Sequence, residues 1–331
     1  MIEKNHPPIK YGNTGVLIIN LGTPDSTNWF DIRKYLREFL SDRRVIEVNP
    51  IIWQIILNLF ILNFRPSKTA KAYKEIWMND KNMSPLLYYT QKQAEKISSS
   101  FSKENILIDF AMRYGNPSIK SKIHKLHKMG CENLVILPLY PQYAAATTAT
   151  VCDEVYRTLM KMRWQPSLKI IPHYESDQLY IDALVNSISK KINEIGWKPD
   201  LIIASYHGIP KKYFDKGDPY HCYCHKTTRL ISEKFSSIKI KTTFQSRFGP
   251  QEWLQPYTDK TLESLPKEGV KNVLTICPGF ASDCVETLEE IQIQAKESFL
   301  NSGGENFDMV PCLNDNNDHI NLLTSLIERN I

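Results

Sequence analysis

The chain of 331 residues is long enough for two domains or for one large α/β unit with a substantial buried core. Its 42% hydrophobic and 23% charged residues are ordinary for a globular protein, and a net charge of +5 is too small to indicate a nucleic-acid partner. The first fifteen residues contain neither an apolar signal-peptide core nor a transit segment, so we expect a cytoplasmic protein whose seven cysteines are reduced thiols or metal ligands.

In the amino-terminal half, short apolar strands alternate with helices. Residues 16–21 form a continuous apolar run that ends in a Gly-Thr-Pro turn, which predicts a buried strand followed by a helix. Further strands are predicted at 106–111 and 134–139, and the helix after them is expected to carry Cys152.

The carboxy-terminal half repeats this alternation, and continuous apolar strands between helices are typical of a parallel sheet covered on both faces. We therefore predict an α/β protein with two doubly wound, Rossmann-like lobes and an active-site cleft between them. The amino-terminal lobe is assigned to 1–166 and the carboxy-terminal lobe to 167–314, and a final helix, 315–331, is expected to pack back on the first lobe. The strands predicted for the second lobe are 168–173, 201–206, 241–245, 272–276 and 307–310.

One segment, 48–64, contains no charged residue and is flanked by Arg43, Arg44 and Arg65. It is shorter than the ~20 apolar residues that span a bilayer. Two interpretations stay open. The segment is a buried core helix, or it is an exposed lip that lies on a membrane surface or grips an apolar ligand, for which Trp53 and the flanking arginines are suited.

An acidic helix is predicted directly after the strand at 272–276. Ser282 or Asp283 is expected to cap it, and Glu286 and Glu290 lie four residues apart, which places them on one helix face. In an open α/β sheet this end of the strand borders the ligand cleft. The alternative is that Asp283 and Glu286 form only a capping box in a solvated first turn.

His207 directly follows the apolar strand at 201–206, where a glycine and a proline turn the chain. A lone histidine at a strand end is often structural, but a neutral imidazole there can also accept a proton or touch a metal ion. A base opposite Glu286 and Glu290, beside an apolar lip, suits a proton-releasing reaction on a large apolar substrate.

Motifs spread over residues 14–315 resemble those of the ferrochelatase family, in the same order and spacing. In the carboxy-terminal half they are SYHGIP at 205–210, GDPY at 217–220, QSRFGPQEWLQP at 245–256 and SDCVETLEE at 282–290. In the amino-terminal half they are NLGTP at 20–24, RPSKTAKAY at 65–73, MSP at 83–85, MRYG at 112–115 and PLYPQYAAATT at 138–148.

The resemblance implies insertion of Fe²⁺ into protoporphyrin IX, the last step of haem synthesis, with release of two protons. Fe²⁺ would be a substrate, and no nucleotide or organic cofactor is expected, since no Gly-rich phosphate loop follows any strand. His207 matches the family histidine held to accept a pyrrole proton. Glu286 and Glu290 match an acidic path for protons or for the incoming metal ion, so His207 and Glu286 are the expected metal contacts.

The resemblance also implies a set of substrate contacts. Arg65, Tyr73 and Ser84 match residues at the mouth of the pocket, near the porphyrin propionates, and arginine is the side chain best suited to hold a carboxylate by two hydrogen bonds. The pocket wall would be formed by Leu21, Arg113, Tyr114 and Trp253.

The cysteines depart from the family pattern. Cys284 stands where many family members have a histidine, and Ala145 stands at the position of a cluster-binding cysteine. One hypothesis is a [2Fe–2S] cluster held by Cys152, Cys222, Cys224 and Cys312, with the middle two in a loop. The competing interpretation is that Cys222 and Cys224 are exposed reduced thiols without a metal.

Other functions stay in competition with protoporphyrin ferrochelation. One alternative is a chelatase for coproporphyrin or another tetrapyrrole, and another is a tetrapyrrole carrier without catalysis. Retention of His207, Glu286 and Glu290 argues against a carrier, which has no use for a proton path. The expected partners are a porphyrin and, through the lip, the inner face of the cell membrane.

Overall fold

The structure is a computed structural model that describes residues 10–101 and 105–331. Two four-stranded sheets form its framework. The first sheet consists of β1 (Asn13–Thr23), β2 (Ile106–Gly115), β3 (Cys131–Pro138) and β4 (Ser167–Ile170), in the order β2-β1-β3-β4.

The second sheet has the same kind of order, β6-β5-β7-β8, and all neighbouring strands in both sheets run parallel. In each sheet, the first strand along the chain pairs with the second strand on one side and with the third strand on the other. In such folds, ligands bind at the point where the strand order reverses in this way. The predicted fold class, two doubly wound α/β lobes, is confirmed. The strands of the second sheet are β5 (Leu201–His207), β6 (Lys239–Gln245), β7 (Asn272–Ile276) and β8 (Asn306–Met309).

Helices connect the strands and cover the sheets. In the first part of the chain they are α1 (Trp29–Leu40), α2 (Pro50–Ile56), the π-helix π1 (Leu57–Ile61), α3 (Leu62–Ile76), α4 (Pro85–Ser100), α5 (Ile119–Lys128), the π-helix π2 (Ala145–Ala149) and α6 (Thr150–Leu159). The later ones are α7 (Gln178–Glu194), α8 (Lys211–Asp215), α9 (Tyr220–Ser232), α10 (Thr258–Ser264), a 3₁₀ turn (Leu265–Glu268), α11 (Val285–Thr287), the π-helix π3 (Leu288–Ala295), α12 (Lys296–Asn301) and α13 (Asn317–Glu328).

One strand belongs to a different sheet from the one predicted. The strand expected at 168–173 was assigned to the second lobe, but β4 pairs with β3 in the first sheet, with Asn133 opposite Ser167 and Ile136 opposite Ile170. That assignment is wrong, because the alternation of strands and helices along a sequence does not reveal which neighbour a strand pairs with.

The hydrophobic core explains why the strands are unbroken apolar runs. Side chains of β1 alternate between two buried faces. Val16 and Ile18 belong to one cluster of buried residues. Leu17 and Ile19 belong to a second cluster on the opposite face. The first cluster also contains Ile202 of the second sheet, so one continuous apolar core joins the two lobes.

The last helix joins this shared core. α13 packs against α4 and α7. Its Leu322 and Leu326 lie in the same cluster as Ile97 of α4 and Leu184 of α7. Because α4 precedes β2 in the first lobe, α13 contacts a helix of that lobe as well as α7.

The uncharged segment 48–64 is an exposed lip. It forms α2, π1 and the start of α3, and only one side of it is anchored, through buried Leu57 and Leu62 and through Trp53, whose Nε1 donates to the Leu40 carbonyl at 2.7 Å. The interpretation as a buried core helix is therefore wrong. Its exposed apolar side chains are Ile51, Ile52, Ile55, Ile56, Leu59, Phe60 and Phe64. Within the two described ranges, every helix is too short or too polar to cross a bilayer.

Gly22 permits the close contact between β1 and β2. It has a φ of +117° and lies opposite Tyr114 in the parallel register. A Cβ built on Gly22 would lie 1.8 Å from the Tyr114 carbonyl oxygen, which is backbone and has no room to move aside. A side chain at this position would therefore add a steric clash to the strain of the left-handed backbone.

We expect Gly22→Ala to lower the free energy of unfolding by roughly 3 kcal/mol or more, from clash and backbone strain together. Gly217→Ala is the matched control, since Gly217 has a φ of +96° but no heavy atom within 4 Å of its added Cβ. The control should lose only the backbone term, about 1–2 kcal/mol. Urea unfolding measures both, and equal losses would contradict the role of the close contact.

Candidate active site

The candidate site begins where two neighbouring strands end. His207 is the last residue of β5 and lies opposite Gln245, the last residue of β6. The amide of Gly208 donates to the Gln245 carbonyl at 2.8 Å, which continues the pairing one residue beyond the strand. A Cβ on Gly208 would lie 2.9 Å from that carbonyl and 3.2 Å from the Trp253 ring, so only glycine is accommodated without a shift. The strands thus deliver His207 to the ligand-binding edge of the sheet.

The hydrogen bond made by His207 defines its chemistry. Its Nδ1 lies 2.7 Å from the Gly208 carbonyl oxygen. Because a carbonyl can only accept, Nδ1 carries the proton in this contact and Nε2 of the neutral ring is left with a free lone pair. His207 is therefore oriented as a base that accepts a proton at Nε2.

The acidic helix starts at a different residue from those predicted. Cys284 is the N-cap, and its amide donates to Thr287 Oγ1 at 3.0 Å. The expectation that Ser282 or Asp283 caps the helix is wrong. Thr287, not Glu286, is the side chain that accepts the hydrogen bond from the N-cap amide. The carboxylate of Glu286 is therefore not used in a capping box.

Asp283 instead holds the loop that precedes this helix. Its carboxylate accepts hydrogen bonds from the amide of Cys312 at 3.2 Å and from Asn314 Nδ2 at 2.6 Å, and its side chain is 5% exposed. The buried carboxylate is thus satisfied by the segment that follows β8. Thr287 Oγ1, four residues further on, donates to the same carboxylate at 3.2 Å. The link to the segment after β8 was hidden in the sequence, because Cys312 and Asn314 lie about thirty residues away.

A π-helix carries the second carboxylate. Residues 285–301 form one continuous helix in which α11 holds Glu286 and π3 holds Glu290. Hydrogen bonds that run from i to i+5 widen the turn, so residues four to five apart are stacked, and such π-helical turns are frequent at functional sites. The expected α-helical stacking is thus replaced by a π-helical one, and the two carboxylates still influence each other's charge.

Two residues at the end of β6 fix this helix. Ser246 donates its amide to Glu290 Oε1 at 2.7 Å and its hydroxyl to Glu290 Oε2. Gln245 donates its side-chain amide to the Glu286 carbonyl at 2.7 Å and accepts from Ser205 Oγ at 2.7 Å. Ser246 has a φ of +64°, an uncommon conformation for a residue with a side chain, and in it both donors reach one carboxylate.

The environment of Glu290 favours its protonated form. Burial raises the pKa of this carboxyl above its usual range, and the charge of Glu286 raises it further. The hydrogen bonds from Ser246 and the positive charge of protonated His207 act in the opposite direction. A carboxyl with a raised pKa, beside a histidine base, is suited to pass protons onward.

Two side chains of the first lobe, Arg65 and Tyr73, feel the charge of Glu286. Arg65 stacks over the Phe248 ring at 4.7 Å, and its buried Nη1 has no hydrogen-bond partner among the described residues. Burial lowers the pKa of Arg65 and the charge of Glu286 opposes that effect. Burial, followed by the charge of Glu286, raises the pKa of Tyr73. The site therefore lies where α3 meets the start of residues 285–301.

Three predicted substrate contacts have structural partners. Arg113 forms a buried ion pair with Asp42 and donates to the Thr150 carbonyl at 2.8 Å, and Tyr114 OH donates to the same Asp42 carboxylate at 3.0 Å. Ser84 caps α4 through its hydroxyl and is 1% exposed. Contact of these three residues with a substrate stays a prediction. In this arrangement, Arg113 and Tyr114 would have to break their hydrogen bonds, and Ser84 would have to become exposed, before they could touch a substrate.

The other two pocket-wall residues are better placed. Leu21 is half-buried against the cluster that includes Tyr73. Trp253 is half-buried as well, and its Nε1 donates to the Phe248 carbonyl at 2.9 Å, which places it beside the ring that stacks on Arg65. Both side chains keep apolar surface near the site.

The cysteines proposed as cluster ligands are not brought together. Cys222 and Cys224 lie on helix α9 and not in a loop, and Cys222 is exposed whereas Cys224 is fully buried. Residues two apart on a helix do not face each other, so the pair cannot clamp one ion. Cys312 is buried in the apolar cluster of the second sheet. Across 10–101 and 105–331, no three His, Cys, Asp or Glu side chains are arranged to hold a metal ion, and this includes His207 with its two carboxylates.

Sequence reasoning missed Gln245 and Ser246 as site residues. Both stand in the QSRFGP motif directly after an apolar strand, which was the signal available. Tyr35 of α1 was missed as well, and its ring meets the Tyr73 ring edge-on at 6.4 Å between centroids. No local pattern marks Tyr35, because it contributes only after α1 and α3 have packed together.

Comparison with known proteins gives a consistent result over the whole chain. Residues 13–331 match the family model described as Ferrochelatase. Ferrochelatase of Allorhizobium ampelinum is 54% identical, over 100% of this chain and 97% of that protein. Ferrochelatase of Francisella tularensis subsp. novicida is 49% identical, over 97% of each chain. Among solved structures, SirB from Bacillus subtilis with Fe³⁺ has a TM-score of 0.56 at 10% identity, covering 96% of this chain and 95% of SirB, which shows a shared fold.

Glu290 is expected to make stability depend on pH. A carboxyl whose pKa is raised by folding binds more protons in the folded state, so its contribution to stability falls as the pH rises above its ordinary value of 4.5. From pH 4 to pH 7, the free energy of unfolding of wild type should therefore fall relative to that of Glu290→Gln. Glu297→Gln, at an exposed position of the same helix, is the control. Parallel stability profiles for wild type and Glu290→Gln would contradict the argument.

Proposed function

We propose that this chain, which belongs to the ferrochelatase family, inserts Fe²⁺ into protoporphyrin IX to give haem, at the site formed by His207, Glu286 and Glu290. Relatives named ferrochelatase are 49–54% identical to it over nearly its full length. The chain is accordingly a metal chelatase of haem biosynthesis. The observation that carries the assignment of the site is the position of His207, with a free Nε2, beside a carboxyl that the same histidine's charge influences.

The reaction requires proton removal and ring distortion. A free-base porphyrin is flat and keeps two pyrrole N–H groups, so two protons must leave before four nitrogen lone pairs can bind the metal ion. Buckling the ring turns those lone pairs toward the incoming ion. The strain, a few kcal/mol, is supplied by binding energy on remote parts of the ring.

His207 is assigned the first proton transfer. Its Nδ1 is held by the Gly208 carbonyl, so Nε2 is the atom that accepts a pyrrole proton. The resulting imidazolium is stabilised by the charge of Glu290, and the proton can pass to that carboxylate, whose pKa is already raised by burial. The base is then neutral again for the second proton.

The two carboxylates have different freedom. Glu290 is fixed by both hydrogen bonds from Ser246. Glu286 is tied only through its backbone carbonyl, to Gln245, and its charge acts on Arg65 and Tyr73 of the first lobe. We therefore assign Glu290 to proton relay and Glu286, together with His207, to transient contact with Fe²⁺, which is a substrate of the reaction.

Arg65 supplies the anchor for a porphyrin carboxylate. Its stacking on Phe248 fixes the guanidinium plane, and its unpartnered buried Nη1 is a donor that a propionate would satisfy. Protoporphyrin carries two carboxylates and coproporphyrin carries four. Among the described residues, Arg65 is the one arginine with an unpartnered buried nitrogen, which favours the porphyrin with fewer carboxylates to hold.

His207→Ala is expected to lower the rate constant of metal insertion by about 100-fold or more, because the general base is lost. Porphyrin binding, measured by fluorescence quenching, should change little. His124→Ala, which removes an imidazole from α5 in the other lobe, is the matched control and should keep wild-type activity. A His207→Ala enzyme within threefold of wild type would contradict the assignment of the base.

The lip is assigned to peripheral contact with the inner face of the cell membrane by a cytoplasmic protein. An apolar segment with six side chains more than half exposed is unusual on a protein surface that faces only water, and such surfaces mark sites of interaction. The macrocycles of the porphyrin and of haem are themselves largely apolar. An apolar surface beside the site would therefore also suit transfer of porphyrin from a lipid phase.

Combined replacement of Ile51, Leu59 and Phe64 by Ser should reduce co-sedimentation with phosphatidylglycerol-containing vesicles. Because these side chains are at least 60% exposed, the free energy of unfolding should change by only about 1 kcal/mol. Replacement of Met160, Leu179 and Leu300 by Ser removes exposed apolar side chains elsewhere and is the control. Unchanged vesicle binding, or destabilisation by several kcal/mol, would contradict the assignment.

A further inference from the structure

We propose that His221 and His225 on α9 form a second metal site, which chelates one divalent first-row transition-metal ion at the protein surface. The two residues are four apart on a helix, a spacing that places both side chains on one face. Their ring centroids lie 4.4 Å apart, so the imidazoles are already adjacent. Two histidines at this helical spacing are a known way to bind one metal ion.

The separation of the rings is compatible with shared coordination. A metal–nitrogen bond of ~2.0–2.1 Å places the ion about 3.2 Å from the centre of a ligating imidazole. Two centroids 4.4 Å apart then subtend an angle of roughly 90° at one ion. That angle lies close to the ligand–metal–ligand angles of octahedral and tetrahedral sites, so the separation of the two rings fits one shared ion.

Packing leaves the ring nitrogens available. The His221 ring is stacked on Phe244 at 5.8 Å with an interplanar angle of 20°, and Phe214 meets it edge-on at 5.2 Å. The His225 ring lies 6.2 Å from the same Phe244. In the part of the chain that the structure describes, neither imidazole makes a hydrogen bond through its ring nitrogens, in contrast to His173, His207 and His319.

Burial lowers the pKa of His221 and of His225, and the neighbouring His221 lowers that of His225 further. A neutral imidazole is the form that ligates, so both shifts act in the direction that favours metal binding.

The chemistry of the pair selects the kind of ion. Imidazole nitrogen suits Zn²⁺, Ni²⁺, Cu²⁺ and Fe²⁺, whereas Mg²⁺ and Ca²⁺ prefer oxygen ligands. Cys222 lies next to His221 and its thiol is exposed, but the described residues contain no third side chain arranged with the pair. Water completes the coordination, and the site is independent of the proposed reaction, because α9 carries neither the base nor the carboxylates.

The test is calorimetric titration of the untagged full-length protein with NiCl₂ at pH 7.5. Wild type should bind one Ni²⁺ that His221→Asn and His225→Asn each lose or bind at least tenfold more weakly. His127→Asn is the matched control, since it removes a lone half-buried imidazole packed on Trp164 of the other lobe. Unchanged Ni²⁺ binding in both α9 variants would overturn the proposal, as would loss in Cys222→Ser with retention in His225→Asn.

A second measurement needs no variant and covers the case in which His221→Asn disturbs packing on Phe244. Diethyl pyrocarbonate modifies free imidazole nitrogens, and mass spectrometry of peptides locates the modified histidines. Ni²⁺ should protect His221 and His225 of the wild-type protein at least fivefold while leaving His127 as reactive as before. Equal modification of the pair with and without Ni²⁺ would overturn the proposal.

Discussion

The site depends on one attachment, between the end of β6 and the helix that carries both carboxylates. Gln245 binds the backbone of Glu286, and Ser246 gives two hydrogen bonds to the side chain of Glu290. Since His207 is paired with Gln245 in the sheet, the same attachment sets the distance between base and carboxylates. This arrangement requires the uncommon backbone conformation of Ser246, with a φ of +64°. The continuous hydrogen-bonded pairing of β5 and β6 stabilises the chain in that conformation.

Much of the framework could be predicted from the sequence. Continuous apolar strands are a strong signal because both faces of each sheet are buried, and β1 shows this directly through Val16 and Leu17, whose side chains enter different clusters. The pairing of β4 could not be predicted. A strand of four residues carries no mark of its sheet, and its place follows from contacts with β3 that only the folded chain makes.

The site shows the same division. His207, Glu286 and Glu290 could be named from motifs at strand ends, because chemistry in α/β folds is built there. The cap at Cys284 and the role of Asp283 could not, since the cap depends on where the short helix α11 begins and Asp283 holds a loop about thirty residues away. The cysteine hypothesis failed for a related reason: the segment after GDPY is a helix, which separates Cys222 from Cys224 and brings His221 to His225 instead.

The most direct test is anaerobic incubation of the wild-type protein with Fe²⁺ and either protoporphyrin IX or coproporphyrin III, followed by absorbance. The account predicts conversion of protoporphyrin to haem with release of two protons per ring, at least about tenfold faster than conversion of coproporphyrin. Porphyrin that binds but keeps its free-base spectrum would show a carrier and contradict the account. Faster metallation of coproporphyrin would contradict the assignment of the substrate.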